Sequence, residues 1–269
     1  MKKIASIVAF VLGAMLSSAS QAQELTDAQY DQAAAFAANA TAATLYHEVG
    51  HLLISQFTLP ILGKEEDAAD NIATVMLLAA EDDDKDAMLI DAANSFFYSN
   101  NAAPEEIADE AMYDLHSLDL QRAFQVICLM VGSDAELFGD LADEVGIDPD
   151  RQESCAFDYA QIAGNWQLLN ETFITQGSNG QPITVVYEEA SQEHQGAAEL
   201  LQASQLLEIV AKEITDTIEL QKPVTFVGRE CGEENAYYDS ENEEVIICYE
   251  LVNLYFGQVA EDIMANPNG

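Results

Sequence analysis

Hydrophobic positions recur every three or four residues through most of the chain, which is the spacing of amphipathic or buried helices. The longest such stretch, 27–57, is rich in alanine, and Thr26 or Asp27 can cap its start. A proline- and glycine-containing break at 59–63 separates it from the next helical pattern. The pattern predicts further helices at 65–81, 84–98, 104–114, 119–131, 135–144, 156–170 and 192–217.

Strand-like patterns are concentrated late in the chain. Short runs of β-branched and aromatic residues lie at 224–228, 236–239 and 245–248, with turn-forming residues between them, and a fourth run lies at 182–187. The sequence therefore predicts an α+β fold that is predominantly α-helical, with a small antiparallel sheet near the C-terminus.

The predicted first helix ends in an H-E-x-x-H motif formed by His47, Glu48 and His51. Two histidines four residues apart lie on one helical face, so both imidazoles can reach the same metal ion while Glu48 projects beside them. This donor set suits Zn²⁺, which in catalytic sites has three protein ligands and one water. We predict that His47 and His51 are ligands and that Glu48 is a general base.

A carboxylate in the second predicted helix can complete the metal site. Glu66 and Asp70 lie four residues apart on one face of this helix. Glu66 is the predicted third ligand, and Asp70 is predicted to accept a hydrogen bond from the far nitrogen of a ligating histidine. The neighbouring Glu65 and Asp67 can replace either of them on sequence grounds alone.

The motif H-E-x-G-H followed by E-D-A-A-D resembles the gluzincin pattern, in which two histidines and a later glutamate bind zinc and the first glutamate is the catalytic base. Other blocks also resemble a bacterial family of unknown function described only as metallopeptidases. These blocks are 59–70, 116–122, 231–238 and 248–251. The resemblance implies a zincin-like two-helix metal site. In zincins the small sheet usually precedes the H-E-x-x-H helix, whereas here it follows by about 170 residues.

Three further residues are candidates for contact with substrate. His116 can stabilise a transition state or bind metal, although a lone histidine beside a helix start is more often structural. Tyr237 and Tyr238 alternate across a predicted strand, so one of them can face a cleft and donate to an oxyanion. Arg122, a scarce cation here, is expected to form a structural ion pair.

The first 22 residues have the features of a bacterial secretory signal peptide. Lys2 and Lys3 precede an apolar run from Ile4 to Leu16, and small residues lead to a predicted cleavage after Ala22. The run is shorter than the roughly 20 residues that span a bilayer. We therefore predict a periplasmic or secreted protein without membrane insertion, in which 23–269 form the metallopeptidase domain.

Four cysteines in an exported chain suggest two disulfides, with three possible connectivities. The pairs that are local in sequence are Cys128–Cys155 and Cys231–Cys248, and the second pair would join the ends of a strand-turn-strand unit. We predict these two disulfides.

The chain has 9 basic and 48 acidic residues, a net charge of −39. Such a field repels nucleic acid and anionic lipid and favours cationic partners or metal ions. Acidic runs such as 81–84 and 241–244 are most simply solvated surface, with calcium binding as the lesser alternative.

Taken together, the sequence predicts a zinc-dependent peptidase acting on a peptide or protein substrate. The alternative is a non-catalytic exported protein that binds zinc for stability or scavenging and uses its acidic surface to bind a basic partner. A third possibility is zinc-dependent hydrolysis of another type of bond. Glu48 favours catalysis, because a purely structural zinc site has no need of a general base.

Overall fold

The computed structural model describes residues 25–80, 82–103 and 107–266. The predicted signal peptide, residues 1–22, lies outside the described residues. The chain is mostly helical with one small sheet near its C-terminal end, as predicted. No helix in the described part of the chain is both long and apolar enough to cross a membrane.

Nine α-helices and four strands follow one another in the described residues. They are α1 Asp27–Phe57, α2 Glu65–Leu78, α3 Asp83–Ala102, α4 Asp119–Ser133, α5 Ala135–Glu144, α6 Pro149–Phe173, β1 Ile183–Tyr187, α7 Gln195–Ser204, α8 Leu206–Thr217, β2 Val224–Arg229, β3 Ala236–Asp239, β4 Glu244–Cys248 and α9 Tyr249–Ala265.

The 31-residue helix α1 is the centre of the fold. A capping box between Thr26 and Gln29 starts it. Its second half, with Leu45, Leu52 and Leu53 fully buried, lies in the main hydrophobic core together with α2, α4, α8 and the sheet. Its first half packs against α9 in a second apolar cluster. From Phe36 onward, α1 is therefore mostly covered by protein.

The sheet has the order β1-β2-β4-β3 and is mixed, not antiparallel as the sequence suggested. β1 pairs with β2 and β2 with β4 in parallel, and only the β3–β4 hairpin is antiparallel. Helices α7 and α8 form the crossover that a parallel β1–β2 pair needs. Because β4 is inserted between β2 and β3, strand β3 is left at an edge of the sheet.

Two helical predictions need correction. Of the predicted helix 104–114, the described part contains only a 3₁₀ turn at Asp109–Met112, and residues 104–106 lie outside the described residues. Met112, Tyr113 and Leu115 are each at least 69% exposed, so no packing stabilises a longer helix. The predicted helix 192–217 is divided at Gln205, whose φ of 55° is left-handed.

Helix α9 was not predicted. It begins directly after β4, and the residue before it, Cys248, makes no side-chain capping hydrogen bond. The apolar run through Val245 and Leu251 therefore gives no local signal that strand becomes helix. Helix α6, in contrast, starts earlier than predicted, at a recognisable signal: Asp148 caps it and Pro149 is its first residue.

Candidate metal centre

The H-E-x-x-H motif lies in the last three turns of α1, and the chain then folds back. Thr58 ends the helix in the left-handed conformation, with φ 52° and ψ 49°. After the break, α2 begins at Glu65 and packs against α1. The first turns of α2 therefore lie beside His47 and His51.

A glycine inside the motif sets how closely the two helices approach. A Cβ added to Gly50 would lie 3.1 Å from Ala69 Cα and 3.2 Å from its carbonyl oxygen. Only a residue without a side chain allows this spacing. The pairing of Gly50 with Ala69 thus places Glu66 and Asp70, on either side of Ala69, within reach of the two histidines.

Three side chains converge on one point. The Nε2 atoms of His47 and His51 are 3.1 Å apart, and Glu66 Oε2 lies 3.2 Å from the first and 3.1 Å from the second. Atoms bound at 2.0–2.1 Å to a tetrahedral zinc are about 3.3 Å apart. Two imidazoles and one carboxylate at this spacing fit a divalent transition metal in both donor chemistry and size.

The far nitrogen of each histidine is held by a carboxylate. His47 Nδ1 is 2.7 Å from Asp70 Oδ1, and His51 Nδ1 is 3.0 Å from Glu65 Oε1. A carboxylate accepts a hydrogen bond from the Nδ1–H group and thereby favours the tautomer in which Nε2 carries a lone pair. Both histidines are thus oriented as metal ligands.

Asp70 is itself held in place. Arg122 Nε donates to Asp70 Oδ2 at 2.8 Å and its Nη2 donates to Oδ1 at 2.9 Å, a two-pronged contact. The guanidinium lies over the Phe96 ring, 4.2 Å from its centroid. Burial acts to raise the pKa of Asp70, but hydrogen bonds from Arg122 and His47 hold it well below its usual range. Asp70 is therefore a fixed anion beside His47.

The electrostatics of the cluster favour a cation at its centre. Burial acts to lower the pKa of His47, but hydrogen bonds to Asp70 and Glu66 outweigh it and raise the pKa to about 9. Hydrogen bonds from His116, His47 and His51 hold the pKa of Glu66 far below its usual range. The carboxylates thus stabilise positive charge where the Nε2 atoms meet.

Glu48 lies next to this centre and is only 4% exposed. Its burial raises the pKa of its carboxyl group, because the charged form loses hydration. A carboxylate with a raised pKa accepts a proton more readily than an ordinary one. Glu48 is therefore a candidate proton acceptor beside the candidate metal centre.

His116 also reaches the site, from the irregular segment before α4. Its Nε2 is 2.9 Å from Glu66 Oε2, and its ring stacks on that of His47 with the centroids 6.0 Å apart. Two contacts hold this segment against the start of α2: Lys64 Nζ donates to the His116 carbonyl, and the Ser117 hydroxyl donates to Asp67. His116 is thus a third imidazole at the edge of the site.

A cleft of about 670 Å³ leads to the metal centre, and β3 forms one wall. Tyr237 and Tyr238 both line it, from opposite faces of the strand. The Tyr238 hydroxyl donates to Glu243 Oε2 at 2.5 Å. The substrate and oxyanion roles of His116 and the two tyrosines stay predictions.

Both disulfides join the predicted cysteine pairs. Cys128–Cys155 links α4 to α6, and Cys231–Cys248 links the segment after β2 to the end of β4. Glu250 lies beside the second disulfide and accepts hydrogen bonds from the backbone N–H groups of Cys231 and Gly232. Sulfurs bonded to each other are not thiolate ligands, so this cluster is structural.

Sequence reasoning missed the partner of His51 and two residues in the wall of the cleft. The sequence suggested Glu65 only as a replacement for Glu66 or Asp70, yet its carboxylate forms a hydrogen bond with His51 Nδ1. A local signal existed, because Glu65 precedes Glu66 in the same helical turn. No local signal identified Asn235 and Ala236, which line the cleft from elements far along the chain.

Comparison with known proteins gives a family and no nearer relative. No curated protein matches the chain, and no solved structure matches it. A family model described as "Putative metallopeptidase" matches residues 7–169 and 187–266, which include the candidate metal centre, both disulfides and strands β2, β3 and β4. The chain therefore belongs to this metallopeptidase family.

Proposed function

We propose that this chain is an exported zinc-dependent metallopeptidase that hydrolyses peptide bonds. One observation carries the proposal. The Nδ1 atoms of His47 and His51 each form a hydrogen bond with a carboxylate, so both Nε2 atoms face Glu66. The buried Glu48 lies beside them. A site that only stored zinc would need the ligands but not the buried base.

The proposed metal ligands are His47, His51 and Glu66. A bound zinc supplies a Lewis acid for the scissile carbonyl and lowers the pKa of its water towards about 7. The protein holds the ligands rigidly, because Asp70, Glu65 and Arg122 fix their orientation. Rigid ligands reduce the reorganisation that the reaction would otherwise require.

Glu48 is proposed to carry the proton. It takes a proton from the attacking water and later passes it to the nitrogen of the leaving amine, so one carboxyl group serves both steps. Its raised pKa suits both roles, since the base must accept the proton and then hold it as an acid. His116 is proposed to donate a hydrogen bond to the developing oxyanion from the edge of the site.

Strand β3 is proposed to bind the substrate backbone. It is an edge strand, and it faces the cleft together with α1. An extended peptide can pair with the free edge of such a strand and lie across the metal centre. Although the sheet follows the H-E-x-x-H helix in sequence, the fold brings its edge strand to the side of that helix.

Export is proposed from the predicted signal peptide and the two disulfides, which persist in oxidising compartments.

The decisive test compares wild type with Glu48→Gln, which removes no ligand and hardly changes shape. We expect equal zinc content and thermal stability, and a loss of about 10² to 10⁴-fold in kcat/KM. The assay uses unfolded proteins and a peptide library that includes basic sequences. A chelator should abolish cleavage and added zinc should restore it.

Two outcomes contradict the proposal. If zinc-loaded wild type cleaves nothing in such a library, or if Glu48→Gln cleaves as fast as wild type, the non-catalytic zinc-binding protein becomes the better description. Failure of the purified chain to bind about one zinc ion would exclude both readings.

A further inference from the structure

A second cavity lies beside the candidate metal centre and is lined by residues of α1, α2, α3, α4 and α9. Its volume is about 220 Å³. It shares five lining residues with the cleft: His47, Glu48, His116, Asn235 and Ala236. A group in this inner cavity would therefore be next to Glu48 and the metal ligands.

Apolar side chains form one part of the walls of the inner cavity, beside the polar residues near the metal centre. They include Leu77, Leu89, Phe96, Leu251 and Leu254, with several alanines between them. An apolar cavity of about 150 Å³ is large enough to hold benzene. The inner cavity is thus large enough for the side chain of phenylalanine, leucine or methionine.

Most polar groups in the inner cavity already have partners within the protein. The Tyr255 and Thr44 hydroxyls are 2.9 Å apart, the Ser95 hydroxyl donates to the Ala92 carbonyl, and Arg122 donates twice to Asp70. A polar side chain entering the cavity would lose hydration and find few free partners, which disfavours its binding.

The charge of the lining excludes acidic side chains. Arg122 is the one Lys or Arg among the described lining residues, and Asp70 neutralises it. Glu48, Asp119 and Glu234 add negative charge around the cavity. An acidic side chain would therefore be both desolvated and repelled.

On the basis of the proposed peptidase function, we propose that the inner cavity is the specificity pocket. It takes a large apolar side chain, aromatic or long aliphatic, from a substrate residue adjoining the scissile bond. The substrate class is then a peptide with such a residue at the cleavage point. The acidic surface selects basic flanking residues, while the cavity selects the cleavage point itself.

Filling the cavity tests this proposal. Ala92 lines it from α3, so Ala92→Leu should reduce the available volume. The substrates are two otherwise identical peptides, one with phenylalanine and one with alanine at the cleavage point. Wild type should prefer the phenylalanine peptide by at least about tenfold in kcat/KM. Even one methylene in a hydrophobic pocket changes kcat/KM by about 10–200-fold, and the phenylalanine side chain is larger than alanine by more than that. Ala92→Leu should remove this preference by lowering kcat/KM for the phenylalanine peptide.

Two further variants serve as controls. Ala102→Leu makes the same change at an exposed position at the end of α3, outside the cavity, and should keep the wild-type preference. Leu254→Ala enlarges the cavity and should shift the preference towards tryptophan. It also covers the case in which Ala92→Leu fails to fold.

Binding to the Glu48→Gln variant separates this proposal from the peptidase function. The phenylalanine peptide should bind this variant at least about tenfold more tightly than the alanine peptide in calorimetry, whether or not wild type cleaves either peptide. Equal affinities, or equal cleavage of both peptides by wild type, would overturn the specificity pocket and leave the peptidase intact. A preference for lysine or arginine at the cleavage point would also overturn it, and would indicate that Asp119 pairs with a basic side chain in the cavity. If Glu48→Gln binds the phenylalanine peptide selectively but wild type cleaves neither peptide, the peptidase function alone would be refuted.

Discussion

At the scale of single residues, Glu65 and Glu66 are adjacent in sequence but their carboxylates contact different nitrogen atoms of the histidines. Glu66 Oε2 lies among the Nε2 atoms, whereas Glu65 contacts the Nδ1 of His51 from a side chain that is 54% exposed. Glu66→Gln should therefore abolish tight zinc binding, and Glu65→Gln should weaken it by about tenfold, the lower end of the effect of an orienting carboxylate.

Zinc competition titrations of the two variants check this contrast, and each is the control for the other because both replace one carboxylate in the same helical turn. A damaging Glu65→Gln together with a harmless Glu66→Gln would show that the ligand register is shifted by one residue.

The candidate ligands could be recognised in the sequence because their geometry is local. His47 and His51 share a helical face through their spacing alone, and the same holds for Glu66 and Asp70. Arg122 could not be connected with Asp70 in the same way, since 52 residues separate them and only the packing of α4 against α2 brings them together.

At the scale of elements, the contact between α1 and α2 depends on Gly50. Gly50→Ala would place a methyl group 3.1–3.3 Å from three atoms of Ala69, so the helices must separate by a few tenths of an ångström. We expect a loss of about 1–3 kcal/mol in the free energy of unfolding, the usual cost of overpacking, together with weaker zinc binding.

Denaturant titration and zinc affinity measure the two effects. Gly164→Ala in α6 is the matched control, because nothing lies within 4 Å of its added Cβ. It should stabilise the protein by up to about 1 kcal/mol, since alanine favours a helix over glycine. Unchanged zinc affinity in Gly50→Ala would show that the helix spacing does not set the metal geometry.

Glu250 at the start of α9 holds the segment between β2 and β3. Burial acts to raise its pKa, but hydrogen bonds from backbone N–H groups, including those of Gly232 and Cys231, lower the pKa below its ordinary value. The ionised form therefore stabilises the fold above the unfolded pKa of about 4.3, and this contribution is lost as the pH falls through the folded pKa.

Glu250→Gln should lower the free energy of unfolding at pH 7 by about 1.5–3 kcal/mol, the range for hydrogen bonds to a charged group. The difference from wild type should shrink as the pH is lowered below about 4. Denaturant titrations at both pH values test this, with Glu261→Gln on the exposed face of α9 as the control. A difference that does not change with pH would mean that the charge of Glu250 does not matter.

The sheet shows what the sequence could not predict at this scale. The strand runs were recognisable, but the order β1-β2-β4-β3 depends on where each connection crosses. Periodicity describes which residues of a strand share a face, and it contains no information on which strand is its neighbour. The edge position of β3 therefore became known only from the fold.

At the scale of the whole molecule, the net charge of −39 should attract basic substrates over distances beyond contact. Raising the salt concentration from about 20 to about 500 mM should lower kcat/KM for a basic peptide by about tenfold, because salt screens the attraction between the acidic surface and the peptide. A neutral peptide with the same residue at the cleavage point should change by less than about twofold. Equal salt dependence of the two peptides would show that the field does not guide substrate to the cleft.

The contact between Thr44 and Tyr255 joins residues 211 positions apart, and it lies directly behind the H-E-x-x-H motif. Polypeptides are made from the N-terminus, so the helix that bears the motif leaves the ribosome long before α9, which supplies one wall of the inner cavity. A nascent or prematurely terminated chain that lacks α9 has every proposed metal ligand but lacks one wall of the proposed specificity pocket. Under the proposed function, the order of synthesis therefore provides the metal ligands before the pocket that selects the substrate is complete.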